Sequence, residues 1–131
     1  RLYEEYELCI QFHIANSRRL TQLFPRSVFA ACTFNVGPRT WTRRHLDLLN
    51  LAFGWCSITA LGNFDDRSGH GALILWPLKL VVRFPAGATA FIPSSVVEHS
   101  NIPISNGETC YSVTQYTAGG LFRWQYLSHL T

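Results

Sequence analysis

The sequence predicts a mainly β protein, a sandwich or barrel, entered through one helix. Three observations carry this. Residues 2–24 keep a helical apolar rhythm, the chain after Pro25 breaks into short β-rich runs, and turn signals separate those runs at close intervals. One helix followed by seven or eight short strands fits a layered β architecture.

The lead-in helix rests on Leu2, Tyr6, Cys9, Ile10, His13 and Ile14, which recur at i, i+3 and i+4 with the charges mostly elsewhere, until Pro25 closes the segment. The clearest of these strands are the six runs Ser27–Asn35, Leu51–Leu61, Ala72–Trp76, Leu78–Phe84, Ala88–Ile92 and Thr109–Thr117, rich in Val, Ile, Phe, Trp and Thr. Between them lie GP at 37–38, SGHG at 68–71, PAG at 85–87, NIPISNG at 101–107 and GG at 119–120. Residues 1–26 therefore form a helical lead-in to a single β domain over 27–131. A length of 131 residues supports one packed core and not two. The chain starts at Arg1 and holds no Met, so it is expected to be a piece of a longer protein.

Composition narrows the class. Hydrophobic residues make up 47% and charged residues 15%, against roughly 25% charged in an average domain, which excludes bulk disorder. No apolar run reaches the ~18 residues of a membrane span, so a soluble intracellular protein without a membrane partner is expected. Cys9, Cys32, Cys56 and Cys110 sit far apart in apolar stretches without CxxC spacing, which reads as free, mostly buried thiols. The net charge of +3 conceals an asymmetry, because no acid occurs from Leu8 to Leu46 while Arg18, Arg19, Arg26, Arg39, Arg43 and Arg44 do. Arginine forks suit phosphate or carboxylate, so an anionic partner is one reading and a merely solvated face the other.

The residues with chemistry to offer are His45, Asp47 and His99. In an extended segment i and i+2 project from one face, so the imidazole and carboxylate of His45-Leu46-Asp47 can grip one ion. His99 arrives several strands later. Two imidazoles and one carboxylate are the ligand set of non-haem Fe(II) oxygenases. The alternative is that Asp47 only orients His45. An iron of this kind takes electrons from a co-substrate with two carboxylates, whose far end is held by a base on a late strand beside a hydroxyl. On Thr109–Thr117, Cys110, Ser112, Thr114 and Tyr116 share one face, so Ser112 offers the hydroxyl and no base accompanies it. Arg123 follows the Gly119-Gly120 turn and is placed to return inward.

The stretches FNVGPRT (34–40), HLD (45–47), ALGNFD with SGHGALILWPLKLVVRFPAGATAFIPS (60–94), HSNIPI (99–104) and GETCYSVTQYTAGGLFRW (107–124) resemble a fungal, transposon-associated branch of the TET/base-J-binding-protein family of 2-oxoglutarate and Fe(II) dioxygenases. The resemblance spans roughly residues 27–125. It implies a double-stranded β-helix of the jelly-roll, cupin-like kind and places iron on His45, Asp47 and His99. It also implies oxidation of the methyl group of 5-methylcytosine or thymine in nucleic acid, DNA rather than RNA, in the nucleus.

One departure bears on activity. The family pattern has Arg where this chain has Cys110, and that Arg pairs with the distal carboxylate of 2-oxoglutarate beside Ser112. Losing such a fork costs about 1.5–3 kcal/mol, a roughly ten- to hundredfold loss of affinity. Pro77 also replaces an Asp of the pattern, a change of structural character. Arg39, Arg43 and Arg123 are the candidate substitutes for the missing base. Three readings stand: an active enzyme with a substitute anchor, a weakened copy that binds metal and nucleic acid, and a non-enzymatic jelly-roll binding module. The target base must leave its stack to reach a buried iron. Trp41 is the candidate to stack on it, Arg44 and the basic third to hold phosphates, and His70 to touch substrate or order its loop. Phe53 and Trp55 read as core, His13 as a helix residue at the core edge, and His129 as a tail residue.

Overall fold

A computed structural model describes residues 1–127, so His129 lies outside the described residues. Helix α1 (Leu2–Asn16) leads into seven strands, β1 (Ala31–Asn35), β2 (Cys56–Asn63), β3 (Leu73–Leu75), β4 (Leu80–Val82), β5 (Thr89–Ile92), β6 (His99–Asn101) and β7 (Thr109–Tyr116), and a second helix follows, α2 (Gly119–Tyr126). The protein is mainly β with an N-terminal helix. All ladders between strands are antiparallel, in a four-stranded sheet ordered β1-β7-β2-β5 and a three-stranded sheet ordered β4-β3-β6.

Both sheets feed one core. Cys56 and Ala60 of β2, Ile92 of β5 and Cys110 of β7 meet Leu73 of β3, with Phe64, Phe84 and Ile104 from the connections. A smaller cluster of Tyr6, Val28 and Leu51, flanked by Leu2, Phe29 and Phe122, seats the two helices. Tyr6 is the pin of that cluster: its buried hydroxyl donates to the Trp55 carbonyl at 3.1 Å and accepts from the Trp55 N–H at 3.0 Å. Gly54 makes room for it, since a Cβ there would overlap the Tyr6 hydroxyl. His13 docks the same helix, its ring buried and its Nε2 donating to the Leu121 carbonyl of α2 at 2.9 Å.

Three sequence expectations are corrected. The helical rhythm over 2–24 persists only to Asn16, where Ser17 turns extended and the paired charges of Arg18 and Arg19 begin. Gly119-Gly120 opens helix α2 instead of turning the chain back, and its first N–H is taken by the Leu49 carbonyl at 2.9 Å. Phe53 and Trp55 are not core residues. They stand 66% and 45% exposed, because the chain from Leu51 to Gly54 closes as a turn before β2 starts.

The register between β2 and β7 depends on Gly62, which faces Cys110 across the ladder at φ +121°. A side chain there is strained by the backbone and would collide with the Thr109 carbonyl. Gly62→Ala is expected to cost about 3 kcal/mol, read as a lowered urea midpoint with an unchanged slope. A midpoint within error of the parent would refute this account.

Candidate metal centre and its cavity

His45 and His99 stand face to face because their backbones pair. The N–H of each donates to the carbonyl of the other at 3.0 Å, an antiparallel bridge that adds the His45 segment to the edge of β6. The ring centroids are 4.3 Å apart. Asp47 is fixed two residues on by its own N–H, which donates to the Ser94 carbonyl at 2.9 Å.

Each imidazole is oriented by its own backbone. His45 Nδ1 lies 2.7 Å from the Arg43 carbonyl, and His99 Nδ1 lies 2.9 Å from the Val97 carbonyl. A carbonyl oxygen can only accept, so Nδ1 carries a proton in both rings, and the neutral form of each leaves the lone pair on Nε2. Both lone pairs then face Asp47. Its Oδ1 is 3.5 Å from His45 Nε2 and its Oδ2 is 3.9 Å from His99 Nε2, too far for good hydrogen bonds. One ligand atom from each of the three residues lies within 4.8 Å of the others. Burial pushes the pKa of His99 down, assisted by the neighbouring His45 ring, which keeps the imidazole neutral as a ligand must be. Two pre-aimed imidazole nitrogens and a carboxylate oxygen converging on one point fit a divalent metal such as Fe(II).

The group opens on a cavity of about 590 Å³ between the sheets. Cys110, Ser112, Thr114 and Tyr116 of β7 line it, the face that alternation assigned to one side, and Tyr111 joins them. Leu48 and Leu49 line it too while standing 76% and 86% exposed, which puts them at the mouth. Three residues missed in the sequence belong here as well: Asn35, whose Nδ2 donates to Ser112 Oγ at 2.8 Å, and Thr40 and Thr42. The signal for the last two was available, because alternation that turns Thr40 and Thr42 inward turns Trp41 out.

The other expected site residues lie elsewhere. Trp41 is 48% exposed and does not line the cavity. None of the candidate substitute bases lines it either. Arg39 is drawn to the 104–106 loop, donating to the Ile104 carbonyl at 2.9 Å and Asn106 Oδ1 at 2.8 Å. Arg43 is exposed on the bridging segment, and Arg123 is exposed on α2. Among the described residues, no Arg or Lys lines the cavity. Arg44 is engaged by Glu98 through Nε and a terminal nitrogen, with its guanidinium 4.9 Å above the Trp76 ring.

His70 also sits outside the cavity, though its neighbour Gly71 lines it. Its Nδ1 lies 3.0 Å from Glu108 Oε1 and 2.9 Å from Oε2. Glu108 further accepts from the N–H groups of Asp65 and Ser105, each at 2.7 Å. The His70 hydrogen bond above all, then those N–H groups, holds the Glu108 carboxyl below the usual carboxylate range. A folded pKa below the unfolded one gives stability that is present above about pH 4.3 and lost as the pH falls through the folded value. Glu108→Gln should accordingly flatten the decline of the urea midpoint between about pH 5 and pH 2. Parallel declines in both proteins would refute the assignment.

No family model matches the chain, and no curated protein matches it. Among the described residues, no helix is long and apolar enough to cross a membrane.

Proposed function

We propose that this chain is the catalytic domain of a mononuclear Fe(II) dioxygenase of the TET/base-J-binding-protein kind, built on a double-stranded β-helix. Its substrate is a methyl-bearing pyrimidine in nucleic acid, DNA in preference to RNA, and its expected place of action is the nucleus. The single observation that carries the proposal is the convergence of His45 Nε2, His99 Nε2 and the Asp47 carboxylate on a cavity, with both Nδ1 protons committed to backbone carbonyls. Those residues would hold the iron, which supplies the oxygen-activating redox chemistry that no side chain of the protein offers.

The chain's own contributions follow from the site. Arg43 and Val97 carbonyls lock the two rings, so the Nε2 atoms need no rearrangement to ligate. Leu73, Ile58 and Phe84 give the cavity an apolar floor, and Ser112, held by Asn35, presents a hydroxyl to whatever enters. A base entering past Leu48 and Leu49 must first be flipped from its stack. Arg18, Arg19, Arg26 and Arg43 are exposed without an ion pair among the described residues, which supports backbone-phosphate contacts and salt-dependent binding.

The fit is incomplete for 2-oxoglutarate. Its chelating end would suit an open metal, but its distal carboxylate would meet hydroxyls and a thiol, since no Arg or Lys among the described residues lines the cavity. Buried Cys110, 5% exposed, favours a second reading: a weakened enzyme that binds metal and nucleic acid and turns over poorly. Both are tested by anaerobic loading with Fe(II), followed by oxygen, 2-oxoglutarate and 5-methylcytosine DNA, with succinate and oxidised base measured. Turnover by the parent chain supports the first reading, and turnover by Cys110→Arg alone supports the second. Metal binding without turnover in either protein would overturn the enzyme.

A further inference from the structure

Glu108, His70 and Ser105 form a hydrogen-bonded relay outside the metal cavity. An ionised Glu108 can only accept, so the His70 Nδ1 facing it carries a proton, and in the neutral ring Nε2 is left with the lone pair. Ser105 Oγ lies 3.1 Å from that Nε2, and in the neutral ring the hydroxyl is the donor. Serine O–H to imidazole Nε2, with Nδ1–H to a carboxylate, is the proton arrangement of an activated nucleophile. The hydroxyl is not needed to close the loop. The Ser105 N–H already bonds Glu108 Oε2 at 2.7 Å, and the Glu108 N–H bonds the Ser105 carbonyl at 3.3 Å.

The surroundings supply the rest of such a site. Ser105 is exposed on the turn Ser105–Glu108, with Gly107 at φ +84°. The N–H groups of Asn106 and Gly107 donate to no protein acceptor among the described residues, leaving donors beside the hydroxyl for a developing oxyanion. Arg39 grips the Ile104 carbonyl and the Asn106 side chain, so a guanidinium flanks Ser105 with unused N–H groups.

We infer that Ser105, His70 and Glu108 form a second, metal-independent site that accepts acyl groups from esters bearing an anionic group. Ser105 Oγ bonds to the ester carbonyl carbon while its proton passes to His70 Nε2. The carbon–oxygen bond to the leaving alcohol then breaks, and the alcohol departs with that proton. A water oxygen then bonds to the acyl carbon as its proton passes to the same nitrogen, the bond from that carbon to Ser105 Oγ breaks, and Oγ takes the proton back as the carboxylic acid leaves. Glu108 is a positioning residue that fixes the tautomer of His70. Nothing is oxidised or reduced, and the iron reading can fail without affecting this one.

The test is labelling of the metal-free chain by a fluorophosphonate probe, mapped by mass spectrometry, with hydrolysis of the 4-nitrophenyl esters of succinate and acetate alongside. One adduct on Ser105 is expected, absent from Ser105→Ala. Labelling should slow at least about a hundredfold in His70→Gln with near-ultraviolet dichroism unchanged. Should His70→Gln not fold, Glu108→Gln keeps an acceptor for the Asp65 and Ser105 N–H groups and should show the same slowing. The succinate ester should be preferred about tenfold, a preference lost in Arg39→Ala. No adduct on Ser105 in the folded protein, or a folded His70→Gln or Glu108→Gln that labels at the parent rate, would overturn the inference. Equal hydrolysis of the two esters would overturn the anionic preference.

Discussion

His99→Ala is expected to abolish Fe(II) binding, a loss well beyond the ten- to hundredfold typical of removing an outer hydrogen-bond partner. His99 is the most buried of the three candidate ligands and is held by three local restraints: two backbone bonds to His45 and one ring bond to the Val97 carbonyl. Its nitrogen is thus delivered without ordering cost, and among the described residues the other imidazole of the group, His45, is already in the set. Anaerobic calorimetry with Fe(II) reads the effect directly. Thermal melting reads it a second way, because an ion at a hundred times its Kd adds about 2.7 kcal/mol to the parent and nothing to the variant. His13→Ala is the matched control. It removes a buried imidazole that bonds Leu121, so it should cost about 1–3 kcal/mol of fold stability and leave iron affinity unchanged. Equal iron affinity in the parent and His99→Ala would remove the metal centre, and with it the proposed function.

How much of this site was legible in the sequence depends on which physical period governed each residue. Strand alternation has a period of two, so the inward set Cys110, Ser112, Thr114 and Tyr116 could be read from β7 alone, and His45 with Asp47 from one extended segment. His99 was nameable from its residue type, yet its position opposite His45 is a matter of pairing between distant segments, which spacing does not encode. The arginines were the least legible. A long side chain takes its direction from whichever acceptor the turns bring near, and Arg39 found the Ile104 carbonyl, Asn106 and no cavity.

The same contrast holds for the fold. Six of the seven strands follow from turn punctuation, with the three-residue β6 too short to read, whereas Gly119-Gly120 reads as a turn locally. It becomes a helix start only because its N–H meets the Leu49 carbonyl and Phe122 packs on Tyr6. The relay of Ser105, His70 and Glu108 was invisible for a related reason. His70 lies on a different loop from the other two, and its roles are assigned by two hydrogen bonds that exist only after the sheets form.

Cys110→Arg is expected to raise 2-oxoglutarate affinity roughly ten- to hundredfold, the worth of one charge-assisted fork. Cys110 lies on the inward face of β7, two residues from Ser112, with its N–H and carbonyl tied to Pro38 and Thr40, so a replacement side chain is delivered to the same wall. The cavity of about 590 Å³ has room for the longer stem. The same substitution carries a signature that simple improvement of packing would lack. An Arg there without an anion is a buried, unpaired charge, so the free variant should be less stable than the parent. Added 2-oxoglutarate should restore that stability in Cys110→Arg and scarcely move the parent, because only the variant pairs the distal carboxylate. Calorimetric titration of the metal-loaded proteins with 2-oxoglutarate, and then with pyruvate, which lacks a distal carboxylate, separates the contributions. The gain should appear for the dicarboxylate alone. A folded Cys110→Arg with unchanged affinity, or with an equal gain for both acids, would show that this wall of the cavity does not face the co-substrate.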